Sequence, residues 1–424
     1  ANTPYAANII VVAKNTIGGC IVLFVEEKLI VKNLIKIFGQ NPDKDLQMMR
    51  KGFSKEEILK ETNQTVAINN VNFTVKQGEL FVLMGLSGSG KSTILRCLNR
   101  LIEPTSGEIF IDGTDINKLN AKEIRKFRQE KMAMVFQQFS LLPHRTILSN
   151  IAYGLEVQKV PRKERERKAQ EYIKLVGLCG WENKYPHELS GGMKQRVGLA
   201  RALTNGSDIL LMDEAFSALD PLIREEMQCE LITLQQKLKK TIVFITHDLN
   251  EALKLGDRIA FLRDGKLIQV GTPKEMLTNP ADDYIKKFLH SVDKSNFLTI
   301  KDIMKTPSFV FGLNDEIKLA LEKMKQRNIN NVFIEDQNGK FEGILTSEQA
   351  CEAYNKGITK ISMIKLVRCP TITENIFVKN SIGEFIESES IAAVVNNSQK
   401  LVGSVFSRDI ISALINEQGG GKDG

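Results

Sequence analysis

An α/β fold built on an open, largely parallel sheet is what this sequence predicts. Three nearly continuous apolar runs of strand length carry that expectation: Leu80–Met84, Ile209–Met212 and Thr241–Thr246. Runs that are apolar on both faces suit parallel strands covered by helices on each side. Each run ends beside a residue able to touch phosphate, as expected where ligands bind beyond the carboxyl ends of strands in such a sheet.

The remaining elements follow in chain order. With 424 residues the chain exceeds the size at which one core stops growing, so two or more domains are expected. Hydrophobic residues at 42% and charged residues at 26% match a water-soluble globular protein. The apolar stretch from Ile17 to Val25 is shorter than the roughly 20 residues that cross a bilayer, and no basic cluster precedes it, so residues 1–28 read as a tail without assigned function. Asn41 to Asn63 should hold a helix, because Ser54 followed by Glu57 forms a capping box. Between Phe127 and Ala200 the pattern turns helical and suggests a separate subdomain, with a charged run from Arg162 to Lys168.

From Phe297 onward a repeat appears. Gly339-Lys340-Phe341-Glu342-Gly343-Ile344-Leu345 is echoed by Gln399-Lys400-Leu401-Val402-Gly403-Ser404-Val405, each preceded by a short apolar strand, Val332–Ile334 and Ala393–Val395. The glycines Gly419 to Gly421 mark a flexible tail. Cys20, Cys97, Cys179, Cys229, Cys351 and Cys369 form no Cys-x-x-Cys pair, which argues against zinc and redox motifs and for reduced thiols. A net charge of +7, modest and diffuse for this length, points away from nucleic acid.

The densest chemistry lies in Gly85-Leu86-Ser87-Gly88-Ser89-Gly90-Lys91-Ser92-Thr93, which fits the Walker A pattern. Its glycines let the backbone bend so that successive amides point at the β- and γ-phosphates of ATP, and the following helix adds its N-terminal dipole. Lys91 would pair with the phosphates and Ser92 with Mg2+, while Asp213, ending its apolar strand, would hold the metal through water. Ser190, Gly191 and Gly192 open a second expected helix, an anion site of the same physical kind.

Together, the Walker loop, Leu189-Ser190-Gly191-Gly192-Met193-Lys194-Gln195-Arg196 and Ile209-Leu210-Leu211-Met212-Asp213-Glu214 resemble the ATPase subunit of an ATP-binding-cassette (ABC) transporter. The resemblance implies a P-loop NTPase cassette with a RecA-like core, an antiparallel β subdomain and a helical subdomain over residues 29–290. It assigns Glu214 as general base, His247 as switch histidine at the γ-phosphate, and Gln137 as the magnesium-sensing glutamine, with Gln138 the alternative if register slips. Phe38 is either the aromatic that stacks on adenine or a core residue at a strand end. Because the Leu189–Arg196 signature of one protomer covers nucleotide held by the Walker loop of another, and Asp220 sits in the interface loop Ser217-Ala218-Leu219-Asp220, the family pattern requires a homodimer.

The order of motifs, including Leu101-Ile102-Glu103-Pro104-Thr105 and Met212 to Arg224, is similar in detail to glycine betaine/proline importers. That likeness implies membrane permease subunits, an extracellular substrate-binding protein or domain, a place on the cytoplasmic face of the membrane, and uptake of a compatible solute. The repeat over residues 298–415, divided at about 298–355 and 357–415, looks like tandem CBS domains of α+β type, with 416–424 a tail. Such pairs bind adenine nucleotides, which makes cyclic di-AMP a candidate ligand. The repeat pattern survives as Gly403 and Asp409 in the second copy and as Gly343 and Thr346 in the first, with Gln349 and Phe406 departing from it; Asp409, Gly403 and Thr346 are the regulatory candidates, against a purely dimerising tail. The basic run Lys122, Arg125, Lys126, Arg128 and Lys131 is a candidate contact for anionic lipid, sensitive to salt. Two rivals stay open: an importer ATPase for methionine, phosphonate or polyamine, and a soluble ABC ATPase of translation or DNA repair.

Overall fold

The computed structural model describes residues 27–137, 140–290, 292–386 and 391–414. Gln138 and the terminal tails, 1–26 and 415–424, lie outside the described residues. The first strand, Glu27–Phe38, begins two residues before the expected boundary, because Lys28 is drawn into an ionic network with Asp112 and Asp208 at 2.6 and 3.1 Å.

Two sheets build the cassette. Strands Thr65–Lys76, Glu27–Phe38, Ser106–Ile111 and Thr114–Asp115 form an antiparallel sheet in that spatial order. The second sheet has six strands in the order Lys266–Gly271, Arg258–Arg263, Leu80–Met84, Thr241–Thr246, Ile209–Asp213 and Met132–Val135. All of its pairings are parallel except that of the edge strand Lys266–Gly271. Every residue of Leu80–Met84 and of Thr241–Thr246 is buried, as the unbroken apolar runs require.

Register decides the site. Met84 pairs with Thr246 and Asp213 with Ile245, so three strands end side by side and deliver Gly85, Glu214 and His247 to one sheet edge. One face of this sheet packs Phe216, Phe244 and Phe261 against the helix Pro221–Leu238, and the other packs Leu83, Ile245 and Leu211 against the helix Lys91–Leu98 and the antiparallel sheet. The helices Ile147–Val157, Arg162–Leu175 and Gly191–Thr204 form the helical subdomain around their own core of Ile151, Ile173 and Val197.

The segment 41–63 holds two helices, Pro42–Arg50 and Lys55–Thr62, in place of the single one expected. Gly52, at φ +93°, breaks the helical path between them, and Ser54 with Glu57 caps the second in both directions. Met48 and Ile58 are buried there against Ile37 and Val66.

The C-terminal part is a pair of three-stranded sheets, Val310–Gly312, Asn331–Glu335, Phe341–Thr346 and Thr371–Thr373, Ile391–Val395, Leu401–Phe406. In each, the first strand runs parallel to the second and the second antiparallel to the third. The repeats meet through Phe333 and Ile344 of one and Ile391 and Ala393 of the other. The second repeat is continuous with the cassette core, since Val378, Val394 and Ile410 join the cluster of Ile285, Leu289 and Ile300. Lys274 of the cassette also pairs with Asp302, near the start of the repeat region. Among the described residues no helix is long and apolar enough to cross a membrane, and the five cysteines are free. The buried Cys97 thiol is pushed up to about 12, consistent with an inert side chain.

Candidate functional site

The loop Gly85–Gly90 leaves its strand through positions that only glycine fits well. Gly90 has φ +99°, and a Cβ there would lie 2.5 Å from the carbonyl oxygen of Ala67. Gly88 has φ +79° and, with Ser87, is exposed. The helix Lys91–Leu98 starts at this point, with Ser92 and Thr93 half-buried in its first turn.

Lys91 is buried, and its Nζ donates to the carbonyl oxygens of Gly85 at 2.7 Å and Leu86 at 2.9 Å. Burial pulls its ammonium below the ordinary value, with Glu214 and Asp213 opposing. Ser92 Oγ donates to Asp213 Oδ1 at 3.1 Å, and burial raises the Asp213 carboxyl above its ordinary value. A polyphosphate would favour the charged lysine and a divalent cation the charged aspartate, so these residues fit ATP and Mg2+. The Ser89 hydroxyl is buried beside them without a hydrogen-bond partner.

Glu214 sits at φ +46°, a left-handed conformation costly for a side-chain-bearing residue, and its amide donates to the Ile245 carbonyl at 3.1 Å. Its Oε2 lies 3.3 Å from His247 Nδ1 and 3.4 Å from Gln137 Nε2. Gln137 Nε2 also donates to Ser217 Oγ at 3.1 Å, and that hydroxyl donates to the Glu214 carbonyl at 2.9 Å. Ser217, expected only as the first residue of the interface loop, is therefore also a polar member of this cluster. Lys91, Ser92, Asp213, Glu214, Gln137 and His247 are thus collected at one sheet edge.

The second group stands apart from them. Ser190 caps the helix Gly191–Thr204 by accepting from the Met193 amide, while Ser190 and Gly191 are exposed. Gly192 has no room for a side chain, because a Cβ would come within 2.6 Å of Ile223 Cγ2. Asp220 is exposed and caps the helix Pro221–Leu238. Among the described residues no hydrogen bond joins Ser190, Gly191, Gly192 or Asp220 to the Walker loop. Phe38 is 42% exposed with Lys36 Nζ 5.1 Å from its ring centroid, which removes the core reading and leaves an aromatic face at the surface.

The regulatory candidates are already engaged. Asp409 Oδ1 is 2.6 Å from Lys305 Nζ and its Oδ2 accepts from the Phe406 amide. Gly403 lies under Met304, whose sulfur would be 2.6 Å from an added Cβ. Thr346 caps the helix Ser347–Asn355 in a reciprocal box with Gln349.

Behind His247 lies a buried polar pair that sequence reasoning missed. Gln228 Nε2 donates to Glu251 Oε1 at 3.1 Å, and burial is the leading cause that holds Glu251 above its ordinary value. A raised folded-state value means that Glu251 contributes stability below its unfolded value near 4.5 and loses it as pH rises through the folded value. Glu251→Gln should therefore melt higher than the parent at pH 8, with the gap closing toward about pH 4. Thermal unfolding across that range checks it; a variant that melts lower at pH 8 would contradict the sign.

Comparison with known proteins places this arrangement. Residues 68–217 match the family model described as ABC transporter and residues 300–356 the one described as CBS domain. Over 387 residues the chain is 48% identical to the glycine betaine transport ATP-binding protein OpuAA of Bacillus subtilis, covering 91% of this chain and 92% of that protein. The chain belongs to the ATP-binding subunits of glycine betaine-type ABC transporters. This ABC subunit is likewise 46% identical over 387 residues to the glycine betaine/carnitine transport ATP-binding protein GbuA of Listeria monocytogenes, covering 91% and 97% of the two chains. Its fold is similar to that of cbiO1 from Clostridium perfringens, part of the ABC transporter complex cbiONQ, with a TM-score of 0.50 at 26% identity over 62% of this chain and 94% of that one. The ABC subunit is a transport ATPase, and these relatives favour the osmoprotectant reading over the methionine, phosphonate, polyamine and soluble alternatives.

Proposed function

We propose that two copies of this subunit close around two ATP molecules and that hydrolysis drives import of a compatible solute of the glycine betaine class through a permease, from the cytoplasmic face of the membrane. The observation that carries the reading is the Glu214 carboxylate, held within 3.4 Å of both His247 and Gln137 beside the Ser92–Asp213 pair. Glu214 accepts the proton of the attacking water, His247 and Gln137 orient that carboxylate, and Lys91 binds the phosphates. Ser92 and Asp213 would hold Mg2+, which when bound offsets the charge of the phosphates. The exposed cap at Ser190 and Gly191, with Gly192 next to it and Asp220 in the adjoining loop, suits a second protomer's nucleotide, since none of them is spent on the site of its own chain. Phe38 offers its exposed ring to adenine.

The CBS pair is read as the regulatory part. An adenine dinucleotide such as cyclic di-AMP would reach Asp409 only by exchanging for Lys305, which weakens Asp409 as a regulatory contact. For anionic lipid, Lys122, Arg125 and Lys126 are exposed, whereas Lys131 pairs with Asp112 and Arg128 donates to the Arg100 carbonyl. The lipid reading narrows to the first three, of which Lys126 already lies 3.8 Å from Glu130. Reconstitution of the subunit with its copurified permease and binding protein, followed by uptake of labelled glycine betaine or methionine, tests the proposal. ATP-dependent betaine uptake is expected; methionine uptake, or a subunit that copurifies with no hydrophobic permease, would overturn it.

A further inference from the structure

Arg224 closes a ring of contacts that ties the interface loop to the switch histidine within one protomer. Its Nη2 donates to the carbonyl oxygens of Ser217, at 3.4 Å, and Leu219, at 2.9 Å, so the guanidinium folds back over the loop that precedes its own helix. Its Nη1 lies 3.9 Å from Asp248 Oδ2. Asp248 follows His247 directly, and its other carboxylate oxygen caps the helix Leu249–Leu255 through the amides of Asn250 and Glu251. His247 then reaches Glu214, and Glu214 returns to Ser217 through the serine hydroxyl. A planar, always-charged fork can hold two carbonyls and one carboxylate together in a way a point charge cannot. The Nε of Arg224 is buried with no hydrogen-bond partner, so the side chain is held in place by its two terminal nitrogens.

We infer that Arg224 is a positioning residue which transmits the placement of the loop Ser217–Asp220 to His247 and Glu214. Any displacement of that loop when a second copy docks is carried through Arg224 to Asp248, and so to the orientation of the switch histidine. Among the described residues no hydrogen bond or ion pair joins Arg224 to Lys91, Ser92, Asp213 or Glu214, so it acts through the loop and Asp248. The inference rests on the reading of Glu214 and His247 as the hydrolytic pair.

The test is steady-state ATP hydrolysis by the purified full-length subunit and its Arg224→Gln, Arg224→Lys and Asp248→Asn variants, each with its melting temperature. Asp248→Asn keeps the helix cap and removes the charge. Arg224→Gln should lower kcat about tenfold with KM for ATP changed less than about twofold, because the binding loop is untouched. Arg224→Lys should recover part of the loss through its charge. In an Arg224→Gln, Asp248→Asn double variant the losses in kcat should fall well short of the product of the two single losses, since both substitutions open one ring. A KM rise matching the kcat loss, losses that multiply, or a kcat loss that only mirrors melting would each overturn the inference. Glu214→Gln assayed in parallel separates the two layers: if it hydrolyses at the parental rate, the reading of the site fails, whatever Arg224 does.

Discussion

Glu214→Gln should bind ATP with parental affinity and hydrolyse it roughly 10²- to 10⁴-fold more slowly, the span usual for loss of a general base. The carboxylate is singled out by placement: its backbone is held at φ +46°, anchored by the Ile245 carbonyl, and its Oε2 contacts both His247 and Gln137. Glutamine keeps the size and can still meet both partners, so binding survives while the proton acceptor is lost. A second consequence follows from the two-copy arrangement. If hydrolysis ends the closed state, the variant should accumulate as an ATP-bound dimer that the parent forms only transiently. Size-exclusion chromatography with and without ATP, alongside single-turnover hydrolysis, checks both parts. Unchanged turnover would remove Glu214 from the mechanism, and a monomer at saturating ATP would remove the shared site.

Gly90→Ala should be nearly as damaging, through binding. The new methyl meets backbone, the Ala67 carbonyl at 2.5 Å, and the residue must also keep a φ of +99°. Backbone strain of this kind costs about 1–3 kcal/mol, and overpacking a similar amount. The strain is relieved by pulling the start of the helix Lys91–Leu98 away from its strand, which displaces the Lys91 ammonium and the loop amides together. If about 3 kcal/mol of that appears in binding, the Kd for ATP rises roughly 100-fold. Titration with a fluorescent ATP analogue measures it, with circular dichroism to establish that the variant folds. Parental affinity in a folded variant would mean the loop adapts without cost, contrary to the packing.

Much of the fold was legible because its signals are local. The Walker loop, the apolar strands and the Ser54–Glu57 cap depend on residues within a few positions of each other, and all three stand in the structure where their residues put them. What the sequence left open has equally physical causes. A periodic pattern cannot say whether Gly52 interrupts a helix or is tolerated within it, and here it separates two. A pattern match at Asp409 cannot show that Lys305, distant in sequence, already holds that carboxylate.

What the sequence determined by itself was chemistry: a phosphate loop, a serine and an aspartate suited to a metal ion, an acid and a histidine at strand ends, and a repeated tail. Only the tertiary structure decided who meets whom. Strand register brings Gly85, Glu214 and His247 to one edge, the helix Pro221–Leu238 carries Arg224 back onto its own loop, and the start of the first repeat pairs with the second, Lys305 against Ser404. These pairings join residues far apart along the chain, and the net energy of burying and hydrogen-bonding them is set by packing that local residue pattern does not encode.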